Sequence, residues 1–433
     1  MARGKKKEAL TPEERLQAAL VPESEQPYKV PGNWCWVYAP SMFNIEYGKG
    51  LPTKKLCEDG YPVFGANGQI GFYNEYMFEY EKALMSCRGA YSGTMNLSLP
   101  KSFITNNSLI IETKLADISV KFVFYLYSAL NKAKLISGSA QPQVTVQAFN
   151  NYPIPVPPLA EQQRIVDRIE SLFSKLDEAK QKAQDALDSF ETRKAAILHK
   201  AFTGELTAQW RKEHGIGMDS WERLKLGEIG TLERGRSQHR PRNDPRLFGG
   251  PYPFIQTGDV ASANVYITEH HQTLSEFGME QSRMFSAGTL CITIAANIGD
   301  VAILSYDCCF PDSVVGFIPN NRSISKFVYY MMSVLQKELE DNAPATAQKN
   351  INLKILNAVE MNIPPVIEQT EIIRMLDGLL AKEQQAKEAA EGVLEQIDLI
   401  KKAILARAFR GDLGTNDPSE ESAVELLKQI LSC

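Results

Sequence analysis

A basic loop at residues 233–246, with the sequence ERGRSQHRPRNDPR, carries the most distinctive chemistry in the chain. Glycine and proline interrupt it, so it is predicted to be a loop and not one face of a helix. Guanidinium groups at this density repel one another unless an anion lies between them, and phosphate oxygens or guanine edges suit their forked geometry. The alternative is a solvated run of charge. The candidate nucleic-acid contacts here are Arg234, Arg236, His239, Arg240, Arg242 and Arg246.

Polar side chains on other predicted turns extend this candidate set. The segment EYGKGLPTKKL at 46–56 is a milder counterpart of the basic loop, and GANGQIGFYN and IQTGDV each follow a predicted strand. Amide and carboxylate groups on turns suit base-edge hydrogen bonding, although alone they are also ordinary turn formers. The further candidates are Lys49, Lys54, Lys55, Asn67, Gln69, Arg88, Tyr91, Ser92, Gln256, Asp259, Asn297, Gln348, Lys349 and Asn350.

Segments that resemble catalytic or cofactor-binding motifs lack the flanking residues that such motifs require. Residues 230–237 resemble a phosphate-binding P-loop, but the HRPRNDPR that follows cannot form the required helix. NIPP at 362–365 resembles the motif of DNA amino-methyltransferases, but Val366 is not aromatic. The cysteines at 308–309 and histidines at 270–271 lack zinc-site spacing. The chain is therefore predicted to be non-catalytic, with no metal site and no cofactor of its own.

An internal repeat supplies the elements that must position these loops. Residues 157–206 recur without a gap as residues 364–413, so every matched position lies 207 residues further on. Each copy starts after a Pro-Pro pair, carries a glutamate (Glu161 or Glu368) in its first turn and ends at a glycine. Apolar residues spaced alternately by four and three predict one long helix per copy, with a coiled-coil seam that Glu383 interrupts.

Two such helices in one chain, joined by a globular segment, are expected to pack as an antiparallel coiled coil. The alternative is a homodimerising coiled coil. Between and before the helices, short strands mixed with a helix near 119–134 predict α+β units, and Trp34 and Trp221 mark weak correspondence between them. The predicted segments are an N-terminal helical extension (1–26), a first globular unit (27–156), a first long helix (157–215), a second globular unit (216–362), a second long helix (363–413) and a C-terminal acidic helix (414–433).

Composition is typical of an ordinary globular protein, with 44% hydrophobic and 23% charged residues. The net charge of −5 argues mildly against a protein that coats nucleic acid by itself. No apolar run is long enough for a membrane helix, and the N-terminus lacks the apolar core of a signal peptide. Seven scattered cysteines without CxxC pairs favour reduced thiols and a cytoplasmic location.

The alternation of two variable units with two near-identical helices resembles the specificity subunits of type I restriction–modification systems. The matching features are the helix starts IPVPPLAEQQRIV and IPPVIEQTEII, the helix ends KAAILHKAFTGELT and KKAILARAFRGDL, and the segment ITIAANIGDVAIL at 292–304. The N-terminal TPEERLQAALVPESEQPYKVPGNWCWV is also similar to that family. The resemblance covers essentially the whole chain.

That resemblance implies that each globular unit reads one half of a bipartite, asymmetric site in double-stranded DNA. Two methyltransferase subunits would dock along the helices, and restriction subunits would join where a nuclease is part of the system. S-adenosylmethionine, ATP and Mg²⁺ would belong to those partners. Two alternatives remain: a coiled-coil adaptor with protein-binding heads, and a fused restriction–modification enzyme with unrecognised catalytic motifs.

Overall fold

The computed structural model describes residues 10–138, 140–295, 298–341 and 351–432. Two compact units divide the chain: unit 1 comprises residues 1–183 and 392–433, and unit 2 comprises residues 184–391. Each unit therefore contains a globular fold, the start of one long helix and the end of the other. No helix among the described residues is both long and apolar enough to cross a membrane.

The helices are α1 (Pro12–Ala19), α2 (Ala39–Met42), α3 (Val120–Ala129), α4 (Leu159–Asp188), α5 (Phe190–Phe202), α6 (Ala208–His214), α7 (Leu226–Ile229), α8 (Thr257–Ser262), α9 (Glu276–Glu280), α10 (Ser325–Asp341), α11 (Leu353–Asn357), α12 (Val366–Ala408) and α13 (Ala423–Ser432). Short 3₁₀ turns cover Glu23–Glu25, Thr53–Lys55, Lys132–Lys134, Val146–Phe149, Met218–Ser220 and Pro245–Leu247.

The strands of unit 1 are β1 (Cys35–Tyr38), β2 (Phe43–Tyr47), β3 (Tyr61–Gly65), β4 (Gly68–Tyr73), β5 (Ala83–Ser86), β6 (Met95–Leu97), β7 (Phe103–Ile104), β8 (Ser108–Thr113), β9 (Ile136–Ser137), β10 (Gln143–Val144) and β11 (Pro153–Val156). The strands of unit 2 are β12 (Glu222–Lys225), β13 (Gly230–Arg234), β14 (Phe248–Phe254), β15 (Tyr266–Ile267), β16 (Gln272–Leu274), β17 (Met284–Phe285), β18 (Leu290–Thr293), β19 (Val301–Leu304), β20 (Cys308–Cys309), β21 (Val314–Pro319) and β22 (Glu360–Ile363).

The strands of the two units follow one plan. Unit 1 has sheets of order β2-β8-β5-β6 and β4-β3-β7, and unit 2 has β13-β21-β18-β19-β15 and β16-β14-β20-β17. In each unit the first and last strands pair antiparallel, β1 with β11 and β12 with β22. Each smaller sheet contains one parallel pair, β3 with β7 and β14 with β20. The predicted α+β class with an internal repeat is confirmed.

Both long helices begin and end where the sequence predicts. The first starts at Leu159 and the second at Val366, each directly after its Pro-Pro pair. Gly204 and Gly411 follow the helix ends with φ of 80° and 81°, values that a side chain would disfavour. Alpha-helical structure in the second copy is continuous over 43 residues.

The first copy differs because it is interrupted at Ser189, between α4 and α5. The Ser189 hydroxyl donates to the carbonyl oxygens of Asp185 and Ala186 at 2.7 and 3.2 Å. A guanidinium N–H of Arg193 also donates to the Ala186 carbonyl. Side chains that bond preceding carbonyls bend a helix, and the matched residue in the second copy, Gln396, makes no such bond among the described residues.

Within each unit the helix segments run antiparallel. In unit 1, Ile165 shares a core with Phe409, and Asp177 accepts from the Lys401 ammonium at 2.6 Å. In unit 2, the Lys387 ammonium lies 5.0 Å from the Phe190 ring centroid, and Leu198 shares a core with Ile372 and Leu376. Glu383, the predicted break in the seam, accepts from Arg193 Nε at 2.8 Å.

Burial along the predicted seam of α12 is uneven. Ile372 and Leu376 are fully buried, but Val393 and Ile400 are 40% and 42% exposed. A straight α-helix drifts by about 20° per heptad from a strict seven-residue repeat, so one partner helix cannot cover a long seam throughout. Coiled-coil geometry itself therefore stays a prediction.

The first-turn glutamates are buried anchors in both units. Glu161 is 0% exposed and accepts from Trp34 Nε1 at 2.7 Å, Asn416 Nδ2 at 2.8 Å and the Thr415 hydroxyl at 3.1 Å. Trp34 directly precedes β1, and Thr415 and Asn416 follow the glycine that ends the second long helix. One carboxylate thus joins the globular fold to the start of one helix and the end of the other.

Unit 2 repeats this anchor with a cation added. Glu368, also 0% exposed, accepts from Trp221 Nε1 at 2.9 Å and the Thr207 hydroxyl at 2.6 Å. Nη1 of Arg211 donates to the same carboxylate at 2.6 Å, and the Arg211 side chain is only 8% exposed. The sequence places these glutamates in the first turns of the two helices, but it predicts neither their burial nor their hydrogen-bond partners.

The chain ends of unit 1 pack on each other. Thr11 and Glu14 form a capping box at the start of α1. Ala423, Leu427 and Ile430 of α13 are buried in the same core as Ala19 of α1. Both terminal helices are therefore packing elements of unit 1.

Candidate nucleic-acid interface

A tight turn at residues 104–108 gathers the candidate loops of unit 1. The backbone N–H of Lys49 donates to the Ile104 carbonyl at 2.9 Å, and the Asn106 N–H donates back to Lys49 at 3.1 Å. The Thr105 N–H donates to the Phe64 carbonyl at 2.9 Å, and the Cys87 N–H donates to the Asn107 carbonyl at 3.0 Å. The loops that begin near Lys49, after β3 and after β5 therefore meet at this central turn.

The central turn of unit 2, residues 309–314, gathers the equivalent loops in the same way. The Arg236 N–H donates to the Phe310 carbonyl at 3.1 Å, and the Ile255 N–H donates to Cys309 at 3.0 Å. The Ile294 N–H donates to the Ser313 carbonyl at 3.0 Å. The basic loop, the loop after β14 and the loop after β18 thus converge in unit 2.

A glycine makes the closest approach possible at each central turn. A Cβ on Gly48 would lie 2.4 Å from the Thr105 carbonyl oxygen, and one on Gly235 would lie 2.3 Å from the Pro311 carbonyl oxygen. These distances exclude any side chain. Both glycines precede a cation, Lys49 or Arg236, so these two cations occupy equivalent positions in the two units.

Carboxylates of the protein neutralise part of the basic loop. Arg242 Nη2 lies 2.9 and 3.0 Å from the two carboxylate oxygens of Asp312, and Arg246 Nη2 lies 2.7 Å from Asp244 Oδ2. His239 Nε2 is 2.8 Å from that same Asp244 oxygen. Hydrogen bonds from Arg246 and His239 hold the pKa of Asp244 well below its usual range. The anion expected between the arginines is thus supplied partly by the chain itself.

The remaining arginines of the loop differ in how they are bonded. Arg234 Nε donates to the Asp312 carbonyl, and Arg240 Nη1 donates to the carbonyls of Ser237 and His239 at 2.7 and 2.8 Å. The Arg236 guanidinium donates from Nη2 to the Gln238 side-chain carbonyl. This guanidinium has no carboxylate or backbone carbonyl as a partner among the described residues. Arg236 is therefore the arginine of this loop whose guanidinium is bonded only to a neutral side chain.

A cleft of about 440 Å³ opens beside Arg236. Its polar lining includes Gln256, Gln272 and Gln281, and Phe248 contributes an aromatic wall. Arg236, His239 and Arg242 line it as well, whereas no aspartate or glutamate among the described residues does. The cleft therefore favours a ligand that offers hydrogen-bond acceptors or negative charge.

Two of the predicted base readers in unit 2 have structural bonds. Asp259 accepts from the Gln256 backbone N–H at 2.7 Å and lies 2.9 Å from His271 Nδ1, so both of its carboxylate oxygens are bonded. Gln256 Nε2 donates to Gln272 Oε1 at 3.0 Å. The sequence does not single out Gln272; its place on β16, paired with β14, brings it to the cleft.

The candidates of unit 1 are mostly exposed at its gathered loops. Exposed side chains belong to Lys49, Lys54, Lys55, Asn67, Gln69, Arg88 and Tyr91. Ser92 is half-buried, and its hydroxyl donates to the Pro142 carbonyl at 2.7 Å, which is a structural bond. Asn106 and Asn107 of the central turn are not among the predicted site residues. They take the places of Asp312 and Ser313 in unit 2, since Asn107 and Ser313 accept equivalent backbone hydrogen bonds.

Four candidates cannot be placed. Asn297, Gln348, Lys349 and Asn350 lie outside the described residues. Their proposed roles stay predictions from the sequence.

Thiols and histidines do not form a metal centre in the part of the chain that the structure describes, where no group of three or more His, Cys, Asp or Glu side chains is arranged to hold an ion. Cys308 and Cys309 are buried, and burial raises the pKa of the Cys308 thiol to about 12. These thiols are core groups that stay protonated at neutral pH.

Comparison with known proteins gives one consistent result. The model of the family described as "Type I restriction modification DNA specificity domain" matches residues 31–187 and 218–392. The specificity subunit of the type I restriction enzyme EcoDI from Escherichia coli is 22% identical over 445 residues, covering 93% of this chain and 95% of that protein. The EcoBI specificity subunit, also from Escherichia coli, is 24% identical and covers 92% of both chains.

Solved structures share the fold. The HsdS subunit from Thermoanaerobacter tengcongensis matches with a TM-score of 0.63 at 20% identity, covering 90% of this chain and 100% of that one. A chain from a structural study of complex assembly and conformational transition of the type I R-M system matches with a TM-score of 0.61 at 21% identity, covering 89% of this chain and all of that one.

Proposed function

The chain belongs to the type I restriction–modification DNA specificity family, and on that premise we propose that its two units each read one half of a bipartite, asymmetric site in double-stranded DNA. As a specificity subunit it is the non-catalytic member of such a system. The chemistry of methylation or cleavage would come from other subunits.

The observation that carries this proposal is the shared frame of the two central turns. Each gathers three loops through backbone hydrogen bonds, two of which match between the units in position and direction, but the loops present different side chains. Unit 1 offers Lys49 where unit 2 offers Arg236, and the arginine-rich segment has no counterpart of equal charge in unit 1. Because different side chains recognise different base edges, the two half-sites should differ in sequence.

The proposal includes partners along the chain. Two methyltransferase subunits would supply S-adenosylmethionine and the methyl-transfer site, and restriction subunits would supply ATP- and Mg²⁺-dependent activity. Partner contacts with phosphates would also explain how a chain of net charge −5 takes part in tight DNA binding. The cations at the central turns favour this reading over a protein-binding adaptor.

Selection from a random-sequence duplex pool tests this function. The purified chain, assembled with its methyltransferase subunit, should enrich two short conserved blocks of different sequence separated by a spacer of fixed length. Enrichment of one continuous block, or of no sequence, would count against bipartite reading. Binding that persists when either block is scrambled would count against it equally.

The substitution Asp312→Asn should increase non-specific DNA affinity. It releases Arg242 from its paired carboxylate and adds one positive charge to the basic loop. If the loop lies on phosphates, the slope of log K against log salt should steepen by up to about 0.9 for an unrelated duplex. Fluorescence anisotropy titrations at several salt concentrations measure this.

Glu360→Gln is the matched control for that prediction. It frees Arg223 from an exposed pair at 2.8 Å in β22 and changes the net charge by the same amount, but outside the basic loop. Its salt slope should equal that of the wild-type chain. Equal steepening in both variants would mean that the loop has no special relation to the DNA backbone.

A further inference from the structure

We propose that Arg236 reads a guanine in the half-site of unit 2, with Gln238 as the residue that positions its guanidinium. This inference rests on the proposed function and adds a base identity and a residue to it. The first observation that supports it is that the other arginines of the loop are bonded to backbone or carboxylate groups of the protein. Arg234 and Arg240 donate to backbone carbonyls, and Arg242 and Arg246 donate to carboxylates, which fixes all four as parts of the loop.

The bonding of Arg236 itself is the second support. Its Nη2 donates to Gln238 Oε1, a neutral acceptor that orients the guanidinium plane without cancelling its charge. One N–H of Nη2 and all those of Nε and Nη1 have no partner among the described residues, so a pair of N–H groups on one edge of the guanidinium remains free for a planar ligand. A guanidinium with two free donors matches the N7 and O6 acceptors of guanine in the major groove, the commonest specific contact between proteins and DNA.

Backbone placement is the third support. The Arg236 N–H is tied to the Phe310 carbonyl at 3.1 Å, and Gly235 beside it lies too close to the central turn for any side chain. A reader on a fixed backbone loses less entropy on binding than one on a free loop. The Cα position of Arg236 is therefore fixed, and its side chain lines the cleft.

The cleft supplies the fourth support. No carboxylate of the described residues lines it. The carboxylates of Asp244 and Asp312 lie next to its lining but are paired with Arg246 and Arg242. Gln272 accepts from Gln256 through Oε1, and its own amide N–H groups have no partner among the described residues. Arg236 and Gln272 thus both present donors to the cleft, which suits an acceptor-rich guanine edge better than the mixed edge of adenine or the donor of cytosine.

Arg236 on a phosphate is the competing interpretation, and a modified base separates the two. Each guanine of the selected site is replaced in turn by 7-deazaguanine, which keeps Watson–Crick pairing but lacks N7. We expect one guanine, in one half-site only, at which this change weakens binding by roughly 5- to 150-fold. Affinities are measured for the complete chain assembled with its methyltransferase subunits.

Variants assign that penalty to its residue. In Arg236→Lys, which keeps the charge but loses the fork, the penalty at this guanine should fall below about 2-fold. Gln238→Leu should reduce the penalty partly, because it removes the acceptor that orients the guanidinium. Arg322→Lys is the matched control, because Arg322 pairs with Glu222 at 3.3 Å on the surface and does not line the cleft. Its penalty should equal that of wild type.

Three results would overturn the inference. One is no penalty at any guanine, and another is a penalty that survives in Arg236→Lys. The third is an Arg236→Ala variant that loses affinity equally for the selected site and an unrelated duplex, which identifies a phosphate contact. None of these touches the bipartite function, since a selected site with two blocks must exist before the guanine scan begins.

Discussion

Glu368→Ala is expected to lower the free energy of unfolding of unit 2 by about 3–5 kcal/mol. The Glu368 carboxylate is fully buried, and Arg211 is bonded to it at 2.6 Å with little access to water. Alanine would leave that guanidinium charge without its counterion and would also leave the Trp221 indole N–H without an acceptor. Buried charges and donors that lose their partners keep the full cost of desolvation.

The paired substitution Glu161→Ala in unit 1 should cost less, about 1–3 kcal/mol. The donors to Glu161 are neutral groups of Trp34, Thr415 and Asn416, so its loss leaves unmatched hydrogen-bond donors but no bonded cation. Native-state hydrogen exchange measures each unit separately, through the amides of β12 and β1. Equal losses in the two units would contradict the role given to Arg211. Glu368→Gln, which keeps an acceptor but not the charge, should fall between alanine and wild type.

These anchors matter for recognition because of where they lie. The indole of Trp34 or Trp221 belongs to the segment that leads into the first strand of each globular fold, and the glutamate belongs to the first turn of a long helix. One buried carboxylate therefore fixes the direction in which each fold leaves its helix. Weakening it should make the position of the central turn relative to the helix less well defined, without changing any side chain of the candidate interface.

Local chemistry explains why the helices and their limits could be predicted from the sequence. The Pro-Pro pairs, first-turn acids and terminal glycines act within a few residues, and the gapless repeat doubles each signal. The capping box of Thr11 and Glu14 is similarly local. The β-prone runs YPVFG, IGFY, ALMSC and SLIIE form strands β3, β4, β5 and β8, as their composition favours.

The use of the arginine-rich loop could not be predicted, because its partners are distant in the sequence. Asp312 accepts from Arg242 through its carboxylate and from Arg234 through its backbone carbonyl. It lies 70 residues after Arg242 and 78 residues after Arg234 in the sequence. From the sequence alone, every arginine of the loop therefore has the same predicted availability for a ligand. The same limit applies to Gln272, which reaches the cleft only because β16 pairs with β14. Which of the candidate side chains touch DNA stays a prediction.

The interruption at Ser189 shows how similar sequences can differ locally. The two copies match without a gap, but serine stands where the second copy has glutamine, and only serine is short enough to return its hydroxyl to the preceding turn. Arg193 reinforces the bend and also bonds Glu383 of the neighbouring helix. The spacing of apolar residues predicts one continuous helix in both copies, because that spacing does not depend on the hydrogen bond of a single side chain such as Ser189.

Phe409→Ala should be the most costly apolar truncation at the helix ends, lowering the free energy of unfolding of unit 1 by about 3–5 kcal/mol. The Phe409 ring is 1% exposed and packs against Phe122 of α3 with centroids 5.7 Å apart. Alanine would leave a cavity between the end of α12 and the globular fold, and the carbonyl of this residue also accepts from the Tyr28 hydroxyl at 3.0 Å. Hydrogen exchange of the α3 amides, measured in increasing denaturant, reports the loss.

The matched residue Phe202 provides the comparison, because its ring packs against Phe327 at 5.6 Å in unit 2 but is only partly buried. Phe202→Ala should therefore cost less, since water already reaches part of the ring and can enter the space it leaves. Phe409→Ala should also weaken DNA binding through the half-site of unit 1 while the 7-deazaguanine penalty assigned to Arg236 stays unchanged. A loss of that penalty in Phe409→Ala would mean that the two units do not read their half-sites independently.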